Sequence, residues 1–180
     1  MKPIEGYDLV NEAGELKKLP AGAYACKIVE VIDVPEKEYL DVYFDIAEGE
    51  FKGYFATLQA NSGKNYGRIT RSYKTNALPF FKAFITAIEK SNPNYKWDWN
   101  EKSLNGKFCA VAFRDEEYVS DGQIKVNAKP DEIRSLQALR AGEITIKPLK
   151  KFEGAMPNAT TGETSANLDR IEIPDDELPF

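Results

Sequence analysis

From Phe51 to Ile88 the chain carries no acidic residue, yet Lys52, Lys64, Arg68, Arg71, Lys74 and Lys82 all fall there. Tyr54, Phe55, Tyr66 and Tyr73 interleave with these cations. Cations hold phosphates and flat rings accept stacked bases, the two contacts that sequence-tolerant binding of a single nucleic-acid strand requires. The candidate set is Lys52, Tyr54, Lys64, Tyr66, Arg68, Arg71, Tyr73 and Lys74, with Trp97 and Trp99 further along. Arg68 and Arg71 are its strongest cations, being in or beside a polar loop, and Tyr66 and Tyr73 are the matching stackers. Phe51 and Phe55 fit the core better, because strands need buried aromatics. Trp97 and Trp99 suit either a stacking platform or a packing lid. Lys107, Arg114, Lys125 and Lys129 either extend the groove or solvate the exterior.

The net charge of −5 is unevenly spread. Residues 1–50 carry 5 basic and 12 acidic side chains, 51–150 carry 17 and 10, and 151–180 carry 2 and 7. Such segregation points to an anion-binding middle and a separate acidic tail. The chain has no His, which removes His-based acid–base catalysis and most zinc sites. The expectation is binding without catalysis, with no cofactor and no metal. Cys26 and Cys109 read as buried thiols of a reducing cytoplasm. The longest apolar run, Phe108–Phe113, is far short of the ~20 residues that span a bilayer. Ser62-Gly63-Lys64-Asn65 lacks the first Gly and final Ser/Thr of a phosphate loop. Asp115, Glu116, Glu117 and Asp121 are a weak candidate for a metal-dependent nuclease.

The elements that must position these residues follow from periodicity. Gly22–Val34 and Tyr39–Ile46 alternate as strands, the second with Leu40, Val42, Phe44 and Ile46 on one face. Phe51–Leu58 reads as a third strand and Gln59–Ser72 as a polar loop. A helix is expected over Asn76–Lys90, capped by Asn76, with Ala77, Phe81, Phe84, Ile85 and Ile88 on its apolar face. Gly106–Phe113 and Gln123–Ala128 read as two more strands, hairpinned at Asp121-Gly122, and Asp131–Gly142 as a short helix or an irregular return. Three strands, a helix and two strands is the order of an OB-fold, a five-stranded, partly open barrel. An α+β sandwich gives the same string.

From Glu153 large apolar residues nearly vanish, which reads as a disordered linker over 153–167. It leads to Asp175-Asp176-Glu177-Leu178-Pro179-Phe180, acidic residues followed by an apolar end. Phe180 suits an apolar pocket, Pro179 limits the entropy lost on docking, and the carboxylates suit a basic rim. The domain division is therefore 1–152, with 1–18 as an N-terminal extension, and 153–180 as a partner-binding tail.

That end resembles the acidic tip of bacterial single-stranded-DNA-binding proteins, usually Asp-Asp-Asp-Ile-Pro-Phe, with Glu177 and Leu178 as mild replacements. The Pro20–Tyr24 entry and the helix after Asn76 resemble phage-encoded single-stranded-DNA-binding proteins over about residues 19–150. The resemblance implies a non-catalytic protein of phage or prophage replication, recombination and repair, acting in the host bacterial cytoplasm. It implies that the tip, residues 175–180, recruits partner enzymes. Edge strands of a small barrel can pair between subunits, which makes a homodimer a further expectation. The alternative is a protein–protein adaptor that binds no nucleic acid.

Overall fold

A computed structural model describes residues 2–3, 7, 17–63 and 67–154. Strands β1 (Gly22–Val34) and β2 (Tyr39–Ile46) have the expected bounds. Helix α1 (Tyr54–Ser62), strand β3 (Arg68–Ser72) and helix α2 (Leu78–Ser91) follow. Strands β4 (Phe108–Ser120) and β5 (Gln123–Arg134) and helix α3 (Leu136–Arg140) complete the order. The strands form one antiparallel sheet, β3-β2-β1-β4-β5. No described helix is long and apolar enough to cross a membrane.

The third strand is therefore not Phe51–Leu58 but Arg68–Ser72, inside the expected loop. Two local forces make 54–62 helical. Gly53 adopts φ 75° and breaks the strand direction. Asp45, at the end of β2, then caps the helix from outside: Oδ1 accepts from the amides of Ile46 (2.8 Å) and Phe55 (2.9 Å), and Oδ2 from Ala56 (3.2 Å). A carboxylate at a helix N-terminus satisfies otherwise unpaired N–H groups and opposes the helix dipole. Asp45→Ala is expected to cost about 1–2 kcal/mol, read as a fall in chemical-denaturation midpoint with unchanged m-value.

The core fills one face of the sheet. Cys26, Ile28, Val42, Phe44, Ile46, Val111 and Phe113 are almost wholly buried there. Phe55 of α1 packs edge-on to Phe44 at 5.7 Å and stacks on Phe113 at 5.9 Å between centroids. Helix α2 adds the expected face of Phe81, Phe84, Ile85 and Ile88. Asn76 does not cap it: a 3-10 turn over Thr75–Ala77 leads in, and Ala77 takes the cap position without a side-chain bond. Cys26 and Cys109 sit opposite each other on β1 and β4. Burial raises both thiol pKa values, that of Cys109 to about 12, so both are protonated and unreactive near neutral pH.

The sheet does not close into a barrel. β3 and β5 are its two edges, and side chains stand in the seam where pairing would occur. Leu19, Tyr54, Phe55 and Leu58 line a cavity of about 640 Å³ between Arg68 of β3 and Asn127–Pro130 of β5. Lys18 crosses the same seam to the Val126 carbonyl. β4 and β5 run well past the expected strand ends, turning at Asp121-Gly122, both at positive φ. The chain beyond α3 returns along the free edge of this hairpin: Lys150 donates to the Asp115 carbonyl and accepts from the Glu117 amide, both at 2.9 Å. Covering an unpaired edge in this way blocks edge-to-edge association.

Candidate nucleic-acid interface

The outer surface of the sheet has two unlike halves. Where β1 pairs with β4 at Ala25 and Ala110 it is covered by Leu136, Leu139 and Ile144. Over β2 and β3 the described residues leave Tyr39 and Tyr43 partly exposed. Because inward and outward residues alternate along a strand, burying Leu40, Val42 and Phe44 turns Tyr39, Asp41 and Tyr43 outward. Their partners on β3 are Ser72, Thr70 and Arg68. Exposed Ile32 lies opposite Asp41 on β1.

Asp41 lies at the centre of this face and is only 6% exposed. Arg68 Nη2 meets its Oδ2 at 2.7 Å and Thr70 Oγ1 donates to its Oδ1 at 2.9 Å. Its charge is thus balanced. Burial works against the Arg68 cation, but the bond and charge of Asp41 outweigh it and raise the Arg68 pKa. The result is a face where two tyrosine rings flank a compensated ion pair, about 13 Å apart along the strand. Tyr39 and Tyr43 escaped the sequence reading. Their signal was aromatic residues at the polar positions of an amphipathic strand.

The residues singled out from sequence divide among several surfaces. Arg68 belongs to the outer face. Arg71, three positions on, turns inward with Ile69, opposite Leu40. Its Nη1 donates to the Thr70 carbonyl at 3.1 Å, and among the described residues no carboxylate lies within ion-pair distance of it. Burial lowers its pKa to about 10, against the opposing pull of Glu132 and Asp131 across the seam. Arg71 is therefore a half-buried interior cation. Lys52 is exposed in the turn before α1, and Tyr54 is half-buried in the seam, its Oη accepting from the Leu19 amide at 3.3 Å. Lys64, Tyr66 and the tip, Asp175, Asp176, Glu177, Leu178, Pro179 and Phe180, lie outside the described residues.

Tyr73, Trp97 and Trp99 do come together. With Leu40, Leu78, Phe81 and Ile85 they wall an apolar pocket of about 630 Å³, with Asp33, Lys82 and Glu101 also lining it. The Trp97 and Trp99 ring centroids are 6.1 Å apart, Phe81 to Trp97 6.5 Å and Tyr73 to Phe81 5.9 Å. Tyr73 Oη donates to Asp33 Oδ1 at 2.8 Å. Lys74 and Lys82 make no ion pair among the described residues. Asp115, Glu116 and Glu117 are part of β4. Glu116 pairs with Lys129 and Lys150, and Asp121 with Lys125.

Desolvation first, then the bond and charge of Asp33 and the charges of Glu38 and Glu36, push the Tyr73 phenol up to about 12. A raised folded-state pKa means that this stabilisation is complete below about pH 10 and disappears as pH climbs through 12. In an alkaline titration followed by phenolate absorbance, Tyr73 should ionise near pH 12, and Asp33→Asn should move that step part of the way back toward 10. Compared with known protein families and with curated proteins, this chain matches none.

Proposed function

We propose that this protein is a non-catalytic single-stranded-DNA-binding protein whose strand track is the outer face of β2 and β3. The observation supporting this reading is the partly exposed pair Tyr39 and Tyr43 around the Arg68–Asp41 ion pair, beside an outer patch at Ala25 and Ala110 that Leu136, Leu139 and Ile144 cover. Rings supply sequence-tolerant stacking, and Arg68, Lys52 and Lys74 supply phosphate contacts. The strand order and the helix between β3 and β4 fit an OB-fold barrel with its β3–β5 seam unjoined. In that fold the face of strands 2 and 3 is where oligonucleotides lie. On this reading the end at 175–180 recruits replication, recombination and repair enzymes of a phage or prophage system in a bacterial cytoplasm.

Fluorescence anisotropy of a labelled oligo(dT) across a salt series tests it. Affinity should fall with salt at a logarithmic slope of about −0.7 per phosphate contact. Tyr39→Ala and Tyr43→Ala should each cost about 1–3 kcal/mol of binding. No binding at low salt would reject the reading in favour of an adaptor.

A further inference from the structure

The pocket behind Trp99 lies at one end of the proposed strand track. Tyr39 is on the outer face, and the next residue, Leu40, lines the pocket. Ser72 faces out on β3, and Tyr73 after it lines the pocket. A strand crossing the outer face therefore reaches the pocket by turning around one sheet end.

Trp99 is held there at a cost. It is 83% exposed and has φ 64°, a backbone conformation disfavoured for a bulky L-residue. Neither packing nor propensity explains that state. Its neighbours impose it: Asp98 Oδ1 accepts from the Asn100 amide (3.2 Å) and Ser103 Oγ (2.8 Å), while Asn100 Oδ1 accepts from the Lys102 amide (3.1 Å). A hydrogen-bonded loop thus keeps a large ring in water beside Trp97 and above an apolar cavity. Strain maintained in this way is characteristic of ligand contacts.

Resting on the DNA-binding reading, we propose that the Trp97–Trp99 pocket takes one unstacked nucleobase at the end of the bound strand. The chemistry fits a base better than an extended anion. The walls are mainly ring faces and aliphatic carbons, and the cavity has ample room for one planar base. Lys82 at the wall and Lys74 nearby in sequence leave cationic charge for the adjoining phosphate. Asp33 is engaged by the Tyr73 hydroxyl, and Glu101 discourages a further phosphate, which sets this subsite at the end of the track.

Both tryptophans of the chain line this pocket, so tryptophan emission reports on it alone. The full-length chain is titrated with oligo(dT) while anisotropy and tryptophan emission are read together. Expected are quenching that tracks binding, a photo-crosslink from 5-iododeoxyuridine to Trp97, Trp99 or Tyr73, and affinity about 5- to 150-fold weaker for Trp99→Gly. Glycine tolerates the positive φ, so this variant should melt no lower than the parent. If anisotropy rises while tryptophan emission stays constant and crosslinks fall only on Tyr39 or Tyr43, the pocket proposal is wrong and the DNA-binding reading survives. If anisotropy never rises, both fail. Quenching by an apolar tripeptide such as acetyl-Leu-Pro-Phe, but not by oligo(dT), would make the pocket a peptide site and overturn the proposal.

Discussion

Gly67→Ala should lower stability by about 3 kcal/mol or more, the largest single-residue effect expected outside the hydrophobic core. A methyl group here collides with the Phe44 carbonyl oxygen and comes within 3.0 Å of the Phe55 ring. The backbone has no room to move, because the Phe44 amide donates to the Gly67 carbonyl at 2.8 Å. Phe55 cannot withdraw either, since it is wedged between Phe44, Tyr54 and Phe113. For a domain of this size the melting temperature should fall by about 6–12 °C. Gly63→Ala is the control: its Cβ meets nothing within 4 Å, so only the positive φ of 67° opposes it, at about 1 kcal/mol. Equal melting temperatures for the two variants would refute the steric account.

Arg68 and Arg71 should respond in opposite directions to the same replacement. Arg68→Met removes the cation facing a nearly buried carboxylate, leaving Asp41 only the Thr70 hydroxyl. That should cost about 1–3 kcal/mol, discounted because Arg68 itself is half exposed. Arg71→Met removes a desolvated guanidinium that has, among the described residues, no carboxylate within ion-pair distance. With its folded-state pKa lowered to about 10, the native state holds this proton less tightly than the unfolded chain does. The penalty is complete below pH 10 and fades between about 10 and 12.5, so at neutral pH methionine should stabilise the fold by about 1–3 kcal/mol. Denaturation of both variants at pH 7 checks the signs, and a destabilised Arg71→Met would show that Glu132 and Asp131 hold the cation after all. DNA binding should split the same way. Losing Arg68 should reduce the salt slope by about 0.7, whereas losing Arg71 should leave it unchanged.

The divergence of these two arginines shows how far local pattern reaches. Their types and spacing announce a cationic segment, and that segment is real. Their directions depend on Arg68–Ser72 being extended, since three positions along a strand reverse the face whereas three along a helix or loop need not. The same uncertainty moved the third strand. Phe51, Tyr54, Phe55 and Leu58 have the spacing of one helical face, but bulky aromatic residues also favour strands, and the local sequence leaves both open. Asp45 decides between them, by supplying a cap from nine residues before the helix begins.

Alternation and helical periodicity determined β1, β2 and the apolar face of α2 by themselves, because each buries a regular stripe whatever the rest of the chain does. Composition likewise determined the charge segregation and the lack of histidine chemistry. Only the tertiary structure decided that the β3–β5 seam stays open, that Arg68 joins Tyr39 and Tyr43 on one face, and that Trp97 and Trp99 wall a pocket with Tyr73. Those outcomes rest on contacts between residues far apart in the chain, and such contacts leave no local period to read.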